Sequence, residues 1–266
     1  MTGFLNGKFL KGRTAIIYGG GGGLGSAIAA AFARDGAKVF LVGRTKAALD
    51  EAAKAVTDAG GLASVAVLDA TDEAAVDEHV RHVVAETGSV DISLNLITRG
   101  DVQGTPLVDM TTEQMLRAVT TGLGSNFITA RAAARQMANQ GSGVILHLNS
   151  ASGDAAMPGM GSTGPADAAI ESFMRYLAAE VGPSGVRVCG IWTAGVAETL
   201  TDEKIAAVAP GGPTAEQAIA GIAGMAALRR TPRLANVAEV AAFLASDRAA
   251  GMTGSMANVT CGLVLR

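Results

Sequence analysis

Two stretches of this chain carry residues of the type and spacing that handle phosphate and protons. The first is Ile16-Ile17-Tyr18-Gly19-Gly20-Gly21-Gly22-Gly23-Leu24-Gly25-Ser26-Ala27-Ile28, which passes from an apolar run through glycines into an amphipathic stretch. Backbone approaches a pyrophosphate closely only where side chains are absent, and a helix N-terminus beyond the turn offers N–H donors and the positive end of a dipole. Gly19, Gly21, Gly22, Gly23, Leu24 and Gly25 are therefore candidate phosphate contacts. The second stretch pairs Ser150, at the end of an apolar run, with Thr163-Gly164-Pro165-Ala166-Asp167. A hydroxyl at a strand end can donate to a substrate carbonyl. At i and i+4, Thr163 and Asp167 can share one helix face.

A dinucleotide reading makes the end of the second apolar run decisive. An acid about twenty residues past the glycines would hold a ribose 2′-hydroxyl, whereas an arginine accepts a 2′-phosphate. The run ends Val42-Gly43-Arg44-Thr45. Gly43 leaves room, Arg44 brings a fork of donors and Thr45 adds a hydroxyl. NADP is the expected cofactor, with NAD as the alternative.

The elements that must position these residues follow from the alternation of short β-branched runs with Ala-rich stretches. The runs are Thr14–Ile17, Lys38–Val42, Ala63–Leu68, Ile92–Leu96, Gly143–Leu148, Val186–Ile191 and Met256–Val259. Continuous apolar strands separated by helices imply a parallel sheet covered on both faces. The expected fold is α/β: a single doubly wound Rossmann-type domain over residues 1–266 with a seven-stranded parallel sheet. The irregular stretch 198–233, rich in Ala, Gly and Pro, is a candidate substrate lid or a pair of solvated helices.

Charged residues make up 17% of the chain and the net charge is −3, with no basic stripe of the kind nucleic acid requires. No apolar run approaches the roughly 18 residues of a membrane-spanning helix. The opening Met1-Thr2-Gly3-Phe4-Leu5-Asn6-Gly7-Lys8 lacks the apolar core of a secretory signal, so a cytoplasmic location is expected. Cys189 and Cys261 have neither metal nor redox spacing and read as two reduced structural thiols.

The motif Gly19-x-x-x-Gly23-Leu24-Gly25 resembles the glycine turn of the short-chain dehydrogenase/reductase family, with Tyr18 where a threonine is usual. The resemblance runs over about residues 10 to 263. Asp69, followed by Ala70, resembles the family's adenine-pocket acid. Asn95-Leu96-Ile97-Thr98 stands at its Asn-Asn-Ala-Gly strand end, and Asn149-Ser150-Ala151-Ser152-Gly153 at its serine strand. Gly195-Val196-Ala197-Glu198-Thr199 resembles the loop that clamps nicotinamide. Phe243–Asp247, Thr253-Gly254 and Gly262 resemble the C-terminal segment.

The resemblance implies a nicotinamide-dependent oxidoreductase acting on a small molecule and assembled as a homotetramer or homodimer, partly through helices near residues 113–138 and 165–181. Ala130-Arg131-Ala132-Ala133-Ala134 would permit their close approach. It also implies a reaction centre of serine, tyrosine, lysine and asparagine, and here the chain departs from the pattern. Ser150 matches the serine, but Thr163 stands at the tyrosine position, Asp167 at the lysine position and Gly122 at the asparagine position. Neither Tyr18 nor Tyr176 falls near that position. An aliphatic hydroxyl is a far weaker acid than a phenol, and a neighbouring carboxylate discourages its ionisation.

Two readings of Asp167 stand at this point. It binds ribose hydroxyls or a cationic substrate, or it lies near a helix N-terminus and serves the dipole. Ser150, Thr163 and Asp167 are the candidate catalytic residues. His147 reads as a core or interface residue, and Arg99 and Asp101 as pocket or loop charges. The expected activity is reduction of an activated C=C or C=N bond, which needs little acid from the protein. The alternatives are a non-redox enzyme such as a cyclase or dehydratase, and a non-catalytic cofactor-binding subunit.

Overall fold

The computed structural model describes residues 8–266, so the expectation about the opening eight residues lies almost wholly outside the described chain. Strands β1 (Thr14–Tyr18), β2 (Lys38–Gly43), β3 (Leu62–Val67), β4 (Ile92–Asn95), β5 (Gly143–Ser150), β6 (Val186–Thr193) and β7 (Ser255–Val259) form one sheet of order β3-β2-β1-β4-β5-β6-β7. All neighbouring pairs are parallel. The seven-stranded parallel Rossmann-type sheet expected from the apolar runs is the sheet observed. β5 and β6 run two residues beyond those runs because their ladder continues through Asn149↔Trp192 and Ser150↔Thr193.

Helices α1 (Gly23–Arg34), α2 (Lys46–Asp58) and α8 (Leu234–Ala245) share one apolar core with the sheet, built on Ile17, Phe32, Leu41, Leu49 and Leu94. Helices α3 (Glu73–Thr87), α4 (Thr112–Gln140) and α5 (Thr163–Val181) close the other face over Ile16, Phe40, Val80, Met137 and Ile145. Asp72 caps α3 through the Ala75 amide at 3.1 Å. α4 opens on a capping box of Thr111 and Gln114 and ends at Gly141, whose φ of +73° makes glycine the favoured residue. The stretch 198–233 holds two helices, α6 (Asp202–Val208) and α7 (Ala215–Met225).

The Ala-rich segment of α4 is not available for assembly. Ala130, Ala132, Ala133 and Ala134 are buried within the protomer, where their small side chains let α4 lie close to the sheet and to α5. The apolar residues these two helices leave exposed are others: Leu116, Phe127 and Tyr176.

At the far side of the sheet, the Arg187 guanidinium on β6 donates to the carbonyls of Leu244 (2.8 Å), Ser246 (3.1 Å) and Met252 (3.3 Å). These include orphan acceptors at the C-terminus of α8, which a cation serves well. Arg187→Met should lower stability by about 1.5–3 kcal/mol, the range for hydrogen bonds to a charged group. A urea denaturation series checks this.

Candidate active site

The order of strands reverses between β1 and β4, and the crevice at the carboxyl ends of such a pair is where a doubly wound sheet binds ligands. Two adjoining clefts open there, with volumes near 500 and 470 Å³. Gly19, Gly22, Leu96, Ile97 and Thr98 line both.

The glycine turn forms the floor they share. Gly19 has a φ of +82°, and a Cβ there would stand 2.7 Å from the Leu96 carbonyl oxygen. A Cβ on Gly25 would stand 2.4 Å from the Gly19 oxygen. The turn is closed by backbone alone, and α1 begins at Gly23 with no side chain capping its first-turn N–H groups. This cradle, which any side chain would fill, fits the pyrophosphate of a dinucleotide. Tyr18, just before it, is fully buried among the apolar residues under α3, and its hydroxyl has no partner. Burial raises its phenol well above the ordinary range.

The first cleft continues past Gly43, Arg44, Thr45, Asp69, Ala70 and Thr71. Asp69 accepts from the Thr71 amide (2.9 Å) and hydroxyl (2.8 Å), which holds its carboxyl below the usual range. The Arg44 side chain is 76% exposed and stands 3.8 Å from Asp69, so its guanidinium is free to turn toward an anion over Gly43.

The second cleft holds the reaction end. Ser150, at the last position of β5, lines it together with Arg99 and Asp101 from the loop after β4, Asn126 from α4, and Leu200, Lys204 and Val208 beside or on α6. Beneath Ser150 lies Asp167, with no solvent exposure at all. Ser150 Oγ donates to Asp167 Oδ2 at 2.5 Å, and Arg99 Nη1 donates to Asp167 Oδ1 at 2.6 Å. Arg99 Nη2 reaches Asp101 at 3.0 Å. Burial pushes the Asp167 carboxyl up to about 6, against the opposing pull of the Arg99 charge and the Ser150 hydroxyl.

Gly122 explains how Arg99 fits. A Cβ on Gly122 would stand 2.5 Å from Arg99 Cδ, so the missing side chain is the space the arginine stem occupies. The cation at this site thus arrives from a different element than the lysine that the family pattern would put at position 167. One turn further along α4, the Asn126 amide nitrogen donates to the Gly122 carbonyl at 2.9 Å. That leaves its buried Oδ1 unpartnered on a residue that lines the cleft. Sequence reasoning passed over Asn126; a polar amide on the buried face of an Ala-rich helix was the available signal.

The structure corrects the readings of Asp167. It neither caps nor begins α5: Ser162 holds the cap position, Thr163 is the first helical residue, and Asp167 falls beyond the first turn on the buried face. Nor is it open to ribose hydroxyls or a cationic substrate, because both oxygens are engaged and no surface is exposed. Thr163 is buried and accepts from Gln103 Nε2 at 3.1 Å, away from the cleft lining. Gly195 and Val196 also lie off that lining; Gly195 packs against Leu200 and Ile222, while Thr199 reaches the cleft. Arg99 and Asp101 are pocket residues. His147 is a core residue whose desolvated imidazole is lowered to about 4. Tyr176 is 72% exposed on the outer face of α5, so neither tyrosine serves this site.

The family model described as enoyl-(acyl carrier protein) reductase matches residues 20–264. An oxidoreductase of Sarocladium schorii, asL5, is 34% identical over 96% of both chains. The 3-oxoacyl-(acyl-carrier-protein) reductase FabG of Chlamydia muridarum is 30% identical over 96% of this chain and 99% of its own. Among solved structures, NAD+-bound xylitol dehydrogenase superposes with a TM-score of 0.85 at 25% identity, covering 95% of this chain and 99% of the other. The chain belongs to the short-chain dehydrogenase/reductase family and is an oxidoreductase of that type.

Gly122→Asn, which would restore the family residue, should displace Arg99 and strand the Asp167 carboxylate. Removing one partner of a buried pair costs about 3–5 kcal/mol. The same substitution in an Arg99→Ala background should cost far less, because the collision is gone. A double-mutant cycle in urea denaturation checks the coupling.

Proposed function

We propose that the chain is an NADP(H)-dependent reductase of an activated C=C bond, working with Ser150 over a buried Asp167–Arg99 pair instead of a phenol and a lysine. The observation that supports this choice is the engagement of Asp167. Both carboxylates at the cleft, Asp167 and Asp101, are paired with Arg99, so neither is free to hold an iminium, and of the two expected bond types C=N is disfavoured. Nor does any phenol reach the cleft to protonate a simple ketone. A conjugated C=C asks less of the protein, because the charge developing after hydride addition is delocalised. The description of the matching family model names the same bond type.

The glycine turn, Asp69, Asn95, Leu96 and Thr199 would hold the dinucleotide, and Arg44 its 2′-phosphate. The bound nicotinamide supplies hydride; the chain's residues orient substrate and manage the proton. Segment 198–233 supplies the outer wall. Leu200, Lys204, Ile205 and Val208 face the cleft, and the Gln103 amide donates to the Val208 carbonyl at 2.7 Å, fastening α6 to the loop that carries Arg99. This segment is a substrate lid in our reading. Among the described residues no helix is long and apolar enough to cross a membrane, and we place the protein in the cytoplasm.

The activity test follows NADPH absorbance on addition of a 2-enoyl thioester, with a ketone and a cyclic imine as competitors. Turnover of the enoyl compound alone is expected; turnover without a change in cofactor redox state would overturn the reading. Arg44→Ala should weaken NADPH binding by about 1.5–3 kcal/mol, as for a charge-assisted contact, and leave NADH nearly unchanged. Fluorescence titration of both cofactors decides this.

Assembly is read from an exposed apolar face. Val119, Leu123, Phe127, Phe173 and Tyr176 line an open groove between α4 and α5, with the Phe127 and Phe173 rings 5.7 Å apart edge to face. A homodimer or homotetramer built on this face is expected. Phe127→Glu with Tyr176→Glu should shift the light-scattering mass to that of a monomer.

A further inference from the structure

We infer that Ser150 is a two-way proton relay: the protonation state of the buried Asp167 decides whether its hydroxyl gives a proton to the cleft or takes one from it. This rests on the proposed reductase reading for its substrate, but the relay is a property of the chain's own residues.

The argument is one of hydrogen-bond capacity. A serine hydroxyl has one hydrogen and two acceptor positions. Ser150 Oγ accepts from the Ser152 amide at 3.2 Å and lies 2.5 Å from Asp167 Oδ2. With Asp167 ionised, Ser150 spends its only hydrogen on the carboxylate and presents a lone pair to the cleft. With Asp167 protonated, the carboxyl hydrogen points at Ser150, both acceptor positions are filled, and the serine hydrogen is free to point into the cleft. No other orientation satisfies all three partners.

Arg99 sets the point at which this exchange happens. A fully buried carboxyl without a partner would stay protonated, and one paired in solvent would stay ionised. Desolvation and the 2.6 Å contact to Arg99 oppose each other and leave the group near neutrality. The charged groups facing Asp167 are Arg99 and Asp101 from the loop after β4, with the Ser150 hydroxyl from β5; Gly153 packs against its Cβ. Glu171, one turn further along α5, is turned away, with Trp192 Nε1 and the Asn149 amide as its partners. Lys204 stands on the outer wall of the same cleft.

In the reducing direction a bound nicotinamide would supply the hydride, and the chain's own residues supply the proton. The Ser150 O–H bond breaks as its proton joins the substrate atom that gains the negative charge. The Asp167 O–H bond breaks in turn, its proton replaces the one Ser150 lost, and the electron pair remains as a carboxylate against Arg99. A proton taken from water in the cleft and passed through Ser150 then restores Asp167. The oxidising direction runs the same transfers backward, from substrate to Ser150 to Asp167. Ser150 touches the substrate; Asp167 and Arg99 act through it.

The first test needs neither cofactor nor substrate. In protein labelled with 13C at the aspartate carboxyls, the Asp167 resonance, assigned by its loss in Asp167→Asn, should titrate near pH 6. It should titrate at least one pH unit higher in Arg99→Ala, and Arg99→Lys should return most of that shift. A carboxyl that stays ionised to pH 4, or is unmoved by Arg99→Ala, would overturn the relay. The second test is the pH profile of NADPH-dependent reduction, in which kcat should fall as pH rises through the titration point. Asp167→Asn should lower kcat by at least a hundredfold, flatten that profile and leave KM within about threefold. Asp167→Glu should restore part of kcat and a sloping profile. Retained kcat and slope in Asp167→Asn would sink the relay while leaving the reductase reading intact. Failure of every enoyl substrate, with the carboxyl still titrating as described, would sink the substrate reading alone.

Discussion

The buried ion pair of Arg99 with Asp167 is the constraint around which the reaction end of this molecule is arranged. Two charges taken out of water are tolerated only when each is compensated and hydrogen-bonded. Here Arg99, Asp167 and Ser150 each meet that condition through another element. Arg99 leaves the end of β4 and bridges Asp101 and Asp167; Asp167 rises from α5 and is closed off by Ser150 of β5. α4 contributes the absence of a side chain at Gly122. Four elements meet at one carboxylate, so a shift in any of them exposes a charge the others were placed to neutralise.

The two ends of the cleft are built on opposite principles. At the phosphate-cradle end the chain makes room: Gly19 and Gly25 matter through atoms they lack, and backbone closes the turn. At the reaction end it fills space with charges held in register. Both depend on the same sheet edge. Gly19 follows Tyr18, which pairs with Asn95 on β4, and Arg99 follows that strand by four residues. The reversal between β1 and β4 therefore brings the phosphate cradle and the Asp167 cation to neighbouring loops.

What was legible in the sequence divides along the same line. Strand positions were readable because a doubly covered parallel sheet demands unbroken apolar runs, and the glycine turn because its requirement is local. Arg99 was not readable as a partner: 68 residues separate it from Asp167, and a loop arginine beside an aspartate carries no signal of where either points. Asp167 itself misled, since two residues after a proline near a helix start suggest a dipole contact. One fact decided otherwise: α5 starts at Thr163, which turns position 167 onto the same buried face as Ala166 and Ile170. Ala130 to Ala134 failed for a related reason, because small residues permit close packing without saying against what. In the structure the partner is the protomer's own core.

The pattern of satisfied groups also bears on whether this centre was rebuilt or has decayed. If Asp167 stands where the family pattern has a lysine, the local charge is reversed by two units, and drift alone would leave that carboxylate unpaired, which a fold of marginal stability tolerates poorly. Instead the site shows a matched set: an acid, a cation of the opposite sign from another loop, and a vacated side chain where the cation must lie. Thr163 and Glu171, the other buried polar groups of this helix face, have partners too. Asn126, which lines the cleft, has an unpartnered Oδ1, and Ser152 Oγ beside the Ser150 turn is unpartnered as well. Ser150, Asp167 and Arg99 are each paired, and the cleft-lining Asn126 keeps an unpartnered oxygen, the arrangement expected where a ligand supplies the last partner.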